Sequence, residues 1–327
     1  MQGLRFLGTC AALMPALLSG TVHAQGTADA YPAKPVTVIV AQTPGGPNDQ
    51  EARIYMAKMQ SLLGQSFVLD FKPGAGSVIG SNYVAKAAPD GYTLLLAAGA
   101  FTIIPVLSPG ISYDAVKDFA PISLMSQKPA AVMVNLAFPA RTFAEYITYA
   151  RANPGKLNVG TAGSGSTVHL MSAWMHSATN TSVTYIPYKG VAPIIPDLMT
   201  GRVDATIVTL LVAGPLLKAG KVRVIAVTDD KRSKLMPDVP TVAEQGIPDF
   251  SYTNWLGFVA PAATPVSVVS KLSEAFARTA RLPEVIAPLE AEGSTLVGST
   301  PAQFRQLLVT ETQRWRKLTQ DAGIKAE

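Results

Sequence analysis

Cysteine is almost absent from this sequence: one residue, Cys10, stands among 327. It lies inside an apolar N-terminal stretch, so the rest of the chain has no disulfide framework and no cysteine-ligated zinc site. Histidine is scarce too, at three residues, and His23 shares that stretch with Cys10. The other two, His169 and His176, stand seven apart on one predicted helix face, with no H-E-x-x-H pattern beside them. No metal and no cofactor is implied. Charged residues make up only 15% of the chain, and the formal net charge is +5. That small surplus suits small anions and forms no stripe for nucleic acid. Beyond the N-terminal stretch no apolar run reaches the ~18–20 residues a membrane span needs. The 48% of apolar residues therefore points to buried strands.

The N-terminal stretch has the order of a secretory leader. Arg5 sits in a short polar start, an apolar segment covers residues 6–20, and Val22-His23-Ala24 is a small-x-small cleavage pattern. A signal peptide over residues 1–24 and an exported, periplasmic protein are expected. Leu7-Gly8-Thr9-Cys10 comes too early to serve as a lipoprotein box.

What is present is an alternation of short β-branched runs with helical patterns. Strands are predicted at residues 36–40, 67–69 and 92–97, and helices at 48–63 and 77–88. This β-α-β-α-β order implies a parallel sheet with helices packed on it. The pattern repeats with strands at 131–136, 157–160, 183–186, 203–208 and 223–228. Helices at 143–152, 167–178, 191–199 and 211–219 alternate with them. A strand near 255–260 and helices at 266–280 and 301–321 close the chain. Two similar α/β halves account for this order.

Two such halves place a ligand in the crevice at the carboxyl ends of the strands. Four strand-to-helix turns there are rich in glycine and small hydroxyls: Thr43 to Asp49, Pro73 to Ser77, Ala97 to Ala100, and Thr161 to Thr167. Each brings a helix N-terminus, with roughly half a positive charge and four unpaired N–H donors, toward the crevice. Gly, Ser, Asn and Asp also cap helices throughout proteins, so one such turn decides little. Four at matched positions point to an anion site that needs no Arg or Lys.

Enzyme constellations fail on detail. Gly74, Gly76 and Gly80 give G-x-G-x-x-x-G, one residue longer than the dinucleotide pattern, and the acidic residue expected after the next strand is missing. Gly220-Lys221 has Pro215 where a phosphate loop needs its first glycine. Ser166 and His169 can meet on one helical turn, but Gly163-Ser164-Gly165-Ser166 is not the G-x-S-x-G elbow of a hydrolase.

Eight segments in order carry a resemblance. They are Tyr31 to Pro35, Pro44-Gly45-Gly46 with Asp49 and Ala52-Arg53, Pro73 to Gly76, Ala87 to Leu96, Lys117 to Pro121, Ala152 to Lys156, Pro187 to Gly190, and Pro237 to Glu244. With them the sequence resembles the extracytoplasmic solute receptors of tripartite tricarboxylate transporters, the Bug or TctC-type proteins, over nearly the whole chain after the leader. The resemblance implies a type II periplasmic binding protein: two α/β domains joined by two crossing strands, with a ligand cleft between them that closes by a hinge. Domain 1 is then residues 25–124 and 253–327, and domain 2 residues 125–252. The crossings fall near 122–128 and 252–259.

The resemblance also implies a small carboxylate as ligand and the large and small membrane subunits of the transporter as partners. One carboxylate is expected against Gly45, Gly46 and the Ala75-Gly76-Ser77 loop, with Ala98 and Gly99 beside them. Gly163, Ser164, Ser166 and Thr167, with His169 and Tyr188, are expected to hold a second carboxylate or polar group. Two alternatives share the data: a sensory receptor presenting its ligand to a membrane kinase, and an exported hydrolase.

Departures from the family pattern bear on the ligand. Gln42 stands where relatives have Phe, and Pro47-Asn48 interrupts their Gly-Gly-Gly-Thr-Asp. Val78 replaces Asn, and Val208 replaces Asp. Two placements are open for these valines, the cleft or helix–sheet packing. In the cleft they remove the acceptor an amino acid's ammonium needs, because a buried unpaired charge is costly. The expected ligand is then a less polar carboxylate, an aromatic acid or a dicarboxylate such as terephthalate.

Overall fold

The computed structural model describes residues 31–322 except Pro109, Ser164, Gly165, Pro248 and Asp249. The expected leader and the candidate Ser164 lie outside the described residues. The chain begins β1 (Val36–Val40), α1 (Pro47–Leu63), β2 (Phe67–Phe71), α2 (Val78–Ala85), β3 (Thr93–Ala98) and α3 (Ala100–Leu107). The long β4 (Phe119–Val134) leads to α4 (Phe143–Ala152), β5 (Asn158–Thr161), α5 (Thr167–Ala178) and β6 (Thr184–Pro187). Then come α6 (Ile194–Thr200), β7 (Ala205–Thr209), α7 (Leu210–Lys218) and β8 (Arg223–Val227). The chain returns through β9 (Thr253–Pro261), α8 (Val266–Thr279), α9 (Pro283–Ala291), β10 (Thr295–Leu296) and α10 (Pro301–Ala322).

Local chemistry sets many of these limits. Gly64, at φ 71°, ends α1 in the left-handed conformation that glycine adopts without a Cβ clash. The Thr142 hydroxyl starts α4 by accepting from the Glu145 N–H. Helix α3 is absent from the sequence reading, because its run is apolar on all sides and carries Pro105 inside. Helix α9 is absent for a similar reason, with Pro288 inside. The strand expected to start at residue 131 is instead the second half of β4.

The sheet order is β2-β1-β3-β9-β4-β7-β5-β6, with β8 and β10 also paired to β4. In the first lobe β1 runs parallel to β2 and β3, and β9 runs antiparallel to β3. In the second lobe β5 runs parallel to β6 and β7. Strand β4 belongs to both lobes. Its residues Phe119 to Pro129 pair with β9, whereas Ala130 to Val134 pair with β7. The passage between lobes thus falls at Pro129 and Ala130. Thr228 fastens it: its hydroxyl accepts from Ala130 N–H at 2.9 Å and donates to Tyr252 O at 2.6 Å.

Each lobe has a core on both faces of its strands. In the first lobe, Val38, Leu94 and Phe258 face α1 and α8, and Ile39, Leu95 and Val259 face α2 and α10. In the second, Val132, Val159 and Ile207 face α4 and α5, and Ala131, Met133 and Val208 face α6 and α7. The final helix serves both. Phe304 and Leu308 of α10 enter the first lobe, and Trp315 and Leu318 enter the second. Between them Arg314 donates to Ser251 O at 3.2 Å and lies 4.7 Å over the Trp174 ring.

Candidate functional site

A cavity of about 670 Å³ lies where the carboxyl ends of β1, β2 and β3 meet the start of α5. Three segments after the first-lobe strands build most of its wall. The first, Ala41 to Thr43, follows β1. Gln42 Oε1 accepts from Asn48 Nδ2 at 2.7 Å, so the group that Gln42 has left to offer is its NH2 donor. Asn48 therefore acts behind the wall and does not line it. Asp49 does the same for the turn itself, accepting from Gly45 N–H at 2.8 Å and pairing with Arg53 Nε at 2.7 Å. Burial alone raises the Asp49 carboxyl, but the Gly45 N–H and the Arg53 guanidinium outweigh it and hold it below the usual carboxylate range.

The second segment, Pro73 to Val78, is conformationally unusual. Gly74, Ala75, Gly76 and Ser77 all have positive φ, at 127°, 46°, 63° and 91°. For Ala75 and Ser77 that is a strained state, of the kind that concentrates at functional sites. Packing enforces it. A Cβ on Gly76 would collide with Ile104 Cδ1, and one on Gly80 would come within 2.6 Å of Ala41 Cβ. The loop is thus wedged between α3 and the first segment. Not every N–H group of the loop is available to a ligand: Ser77 N–H donates to Gly74 O at 3.1 Å, and Val78 N–H donates to Ala75 O. Those two donors are spent inside the turn.

The third segment is α3, which supplies an apolar wall of Ala100, Ile103, Ile104 and Leu107, continued by Ile111. Sequence reasoning missed it. Its signal is a largely apolar run, Ala100 to Leu107, directly after Gly99. From the second lobe, among the described residues, Ser166 and Thr167 line the cavity. The Ser166 hydroxyl also caps α5, accepting from His169 N–H at 3.2 Å.

The structure therefore brings Gln42, Ala75, Gly76, Ser77, Val78, Ser166 and Thr167 together at the cavity wall. The other described candidates are not among its lining residues. Gly45 and Gly46 form the turn behind Gln42. Ala98 ends β3, and Gly99 lies under α3, where an added Cβ would approach Tyr252 Oη at 3.0 Å. Gly163 lies beside the Tyr188 carbonyl. Tyr188 donates its hydroxyl to Asp197 Oδ2 at 2.7 Å. His169 packs edge-on against Tyr185, with centroids 4.8 Å apart. The two valines separate: Val78 lines the cavity, but Val208 is 2% exposed in the core with Ala131, Met133 and Val203. For Val208 the packing placement holds, and its lost charge says nothing about the cavity.

His176 also lies away from the cavity. It is 2% exposed, donates Nδ1–H to Ser172 O at 2.6 Å and accepts from the Tyr146 hydroxyl at Nε2 at 2.9 Å. Burial pushes its pKa down to about 4, so it is a neutral core group. Among the described residues no cluster of three or more His, Cys, Asp or Glu is placed to hold a metal ion. No helix there is long and apolar enough to cross a membrane.

Known proteins match this frame. Residues 52–324 match the TctC family, described as the tripartite tricarboxylate transporter family receptor. Protein BugT of Bordetella pertussis is 33% identical over 306 residues, covering 93% of this chain and 94% of its own. Among solved structures, Rpa4515 of R. palustris with adipate is 34% identical with a TM-score of 0.77, covering 90% of this chain and 99% of that one. MatC from Rhodopseudomonas palustris with bound malate is 32% identical with a TM-score of 0.74, covering 88% and 99%.

Proposed function

The chain belongs to the tripartite tricarboxylate transporter receptor family, and from that premise we propose that it captures a dicarboxylate whose carboxyl groups are joined by an apolar spacer. It has the periplasmic binding protein fold of that family and is a solute receptor, not an enzyme. The ligand reading rests on one observation, the division of the cavity wall. Gln42, Thr43 and the Gly74–Ser77 loop present polar groups on one side, and Ser166 and Thr167 present hydroxyls from the other lobe. Ile103, Ile104, Leu107 and Val78 line the same cavity, and their side chains offer nothing to hydrogen-bond. Each methylene buried on such a wall contributes roughly 0.8 kcal/mol. A hydroxylated or aminated spacer loses that gain and leaves its own polar group unpaired. An aliphatic diacid of adipate length and an aromatic one such as terephthalate both fit this division; adipate is the ligand in one related structure.

The same proposal covers the route of the protein. Residues 1–24 act as a cleaved leader, and the loaded receptor meets the large and small membrane subunits of its transporter. The two lobes, which β4 joins at Pro129 and Ala130, move as two bodies about β4 and β9. Thermal unfolding with a panel of adipate, terephthalate, malate, aspartate and glutamate tests the ligand class. A ligand at 100 times its Kd adds about 2.7 kcal/mol of stability. Adipate or terephthalate is expected to shift the transition most. Stabilisation by aspartate or glutamate, with none by the two apolar diacids, sinks the reading. In a deletion strain, loss of diacid uptake with intact gene induction separates delivery to a transporter from presentation to a membrane kinase.

A further inference from the structure

A buried ion pair joins the ligand loop's helix to the strand that connects the lobes. Glu51, in α1, has no exposed surface, and Lys128, in β4, is 9% exposed. Lys128 Nζ lies 2.5 Å from Glu51 Oε2. Glu51 Oε1 accepts from the Tyr55 hydroxyl at 2.5 Å and from the Ser126 hydroxyl. The carboxylate is thus held by its own helix through Tyr55 and by β4 through Ser126 and Lys128.

The location of each end gives the cluster its meaning. Helix α1 begins at Pro47, directly after the turn that carries Gln42 and Thr43 to the cavity. Lys128 is the last residue of β4 before the passage at Pro129 and Ala130, where pairing changes from β9 to β7. A buried pair adds little stability over a well-packed apolar pair of similar volume, because desolvation offsets the attraction. What it adds is a fixed geometry, since a displaced partner leaves a bare charge in the interior.

We propose that Glu51 is a positioning residue for solute capture. Through Lys128 and Ser126 it locks α1, and with it the Gln42–Thr43 segment, in register with the strand about which the second lobe turns. Rotation at Pro129 and Ala130 then brings Ser166 and Thr167 onto a wall that does not yield. The identity of the solute rests on the dicarboxylate reading above; the lock itself does not.

The test uses the full chain with Cys10→Ser and spin labels on Val68→Cys and Met199→Cys, both exposed and on separate lobes. Pulsed dipolar spectroscopy reads the lobe-to-lobe distance, and calorimetry reads adipate binding. The variants are Glu51→Gln and the apolar pair Glu51→Met with Lys128→Met. The distance distribution of the ligand-free protein is expected to broaden in both variants. Adipate affinity is expected to fall at least tenfold, in the double-Met variant even at a wild-type Tm. If Glu51→Gln fails to fold, the double-Met variant decides alone. A double-Met variant with the wild-type distance distribution and affinity overturns the proposal, because the pair is then mere filling. Adipate and terephthalate failing to bind the unaltered protein overturns the ligand reading, while a broadened ligand-free distribution still upholds the lock.

Discussion

The two lobes meet the cavity in opposite ways. In the first lobe, α1, α2 and α3 all begin toward it with no side-chain cap on their N-termini. In the second, α5 begins toward it already capped by Ser166. An uncapped helix start keeps donors free unless the turn takes them up, as at Ser77 and Val78 before α2, whereas a capped one has used part of that capacity. The apolar wall follows the same division, since Ile103, Ile104 and Leu107 all belong to α3. Among the described residues the first lobe thus supplies most of the cavity wall, and the second adds Ser166 and Thr167. The shared strand order of the halves hides this unequal assignment.

Gly76→Val is the strongest way to break the contrast. It forces a β-branched residue into φ 63° and drives it against Ile104. Strain and overpacking together are expected to cost about 2–5 kcal/mol. Calorimetry is expected to show diacid binding lost even below the lowered Tm. Binding within threefold of wild type shows that the first-lobe wall is not the recognition surface.

Acid is expected to act more moderately, and on the other lobe. His176 is held neutral in the fold with a pKa of about 4, against 6.5 as its ordinary value. Below about 6.5 the unfolded chain takes up a proton that the fold refuses, so stability falls as pH drops toward 4. The loss is on the order of 3 kcal/mol. Urea unfolding of wild type and His176→Gln across this window checks it, and the variant is expected to flatten the slope. The first-lobe counterpart runs lower. Asp49 is depressed below the usual carboxylate range, so its contribution is lost only as pH falls through that lower pKa.

Ser166→Ala is expected to have the smallest effect. Loss of the α5 cap costs about 1 kcal/mol in Tm measurements. With only a covering role for the second lobe, diacid affinity is expected to fall less than fivefold. A hundredfold fall makes the second lobe a full partner in recognition.

Much of this arrangement is legible in residue order. Glycine and hydroxyl clusters mark the turns after β1, β2 and β5, because few other residues tolerate those conformations. The loop Gly74–Ser77 is accordingly read as part of a carboxylate clamp, and the structure places it on the cavity wall, although its spent donors depend on backbone geometry that no pattern reveals. Helix α3 shows the limit. A largely apolar run of eight residues with an internal proline reads equally well as strand end or loop, and only its packing against α10, β3 and the Gly76 loop shows it as a helix with a side on the cavity. Val208 shows another. Strand periodicity places it on one of two faces, and only its neighbours Ala131 and Met133 decide which. The Glu51–Lys128 pair lies 77 positions apart in sequence, with no local signal at either residue.

Helix α10 has a consequence for how the chain acquires its structure. Phe304 and Leu308 complete one core, and Trp315 and Leu318 the other. A growing chain that stops short of residue 304 can finish neither. Both lobes therefore depend for a complete core on one helix that follows every strand of the second lobe in the chain.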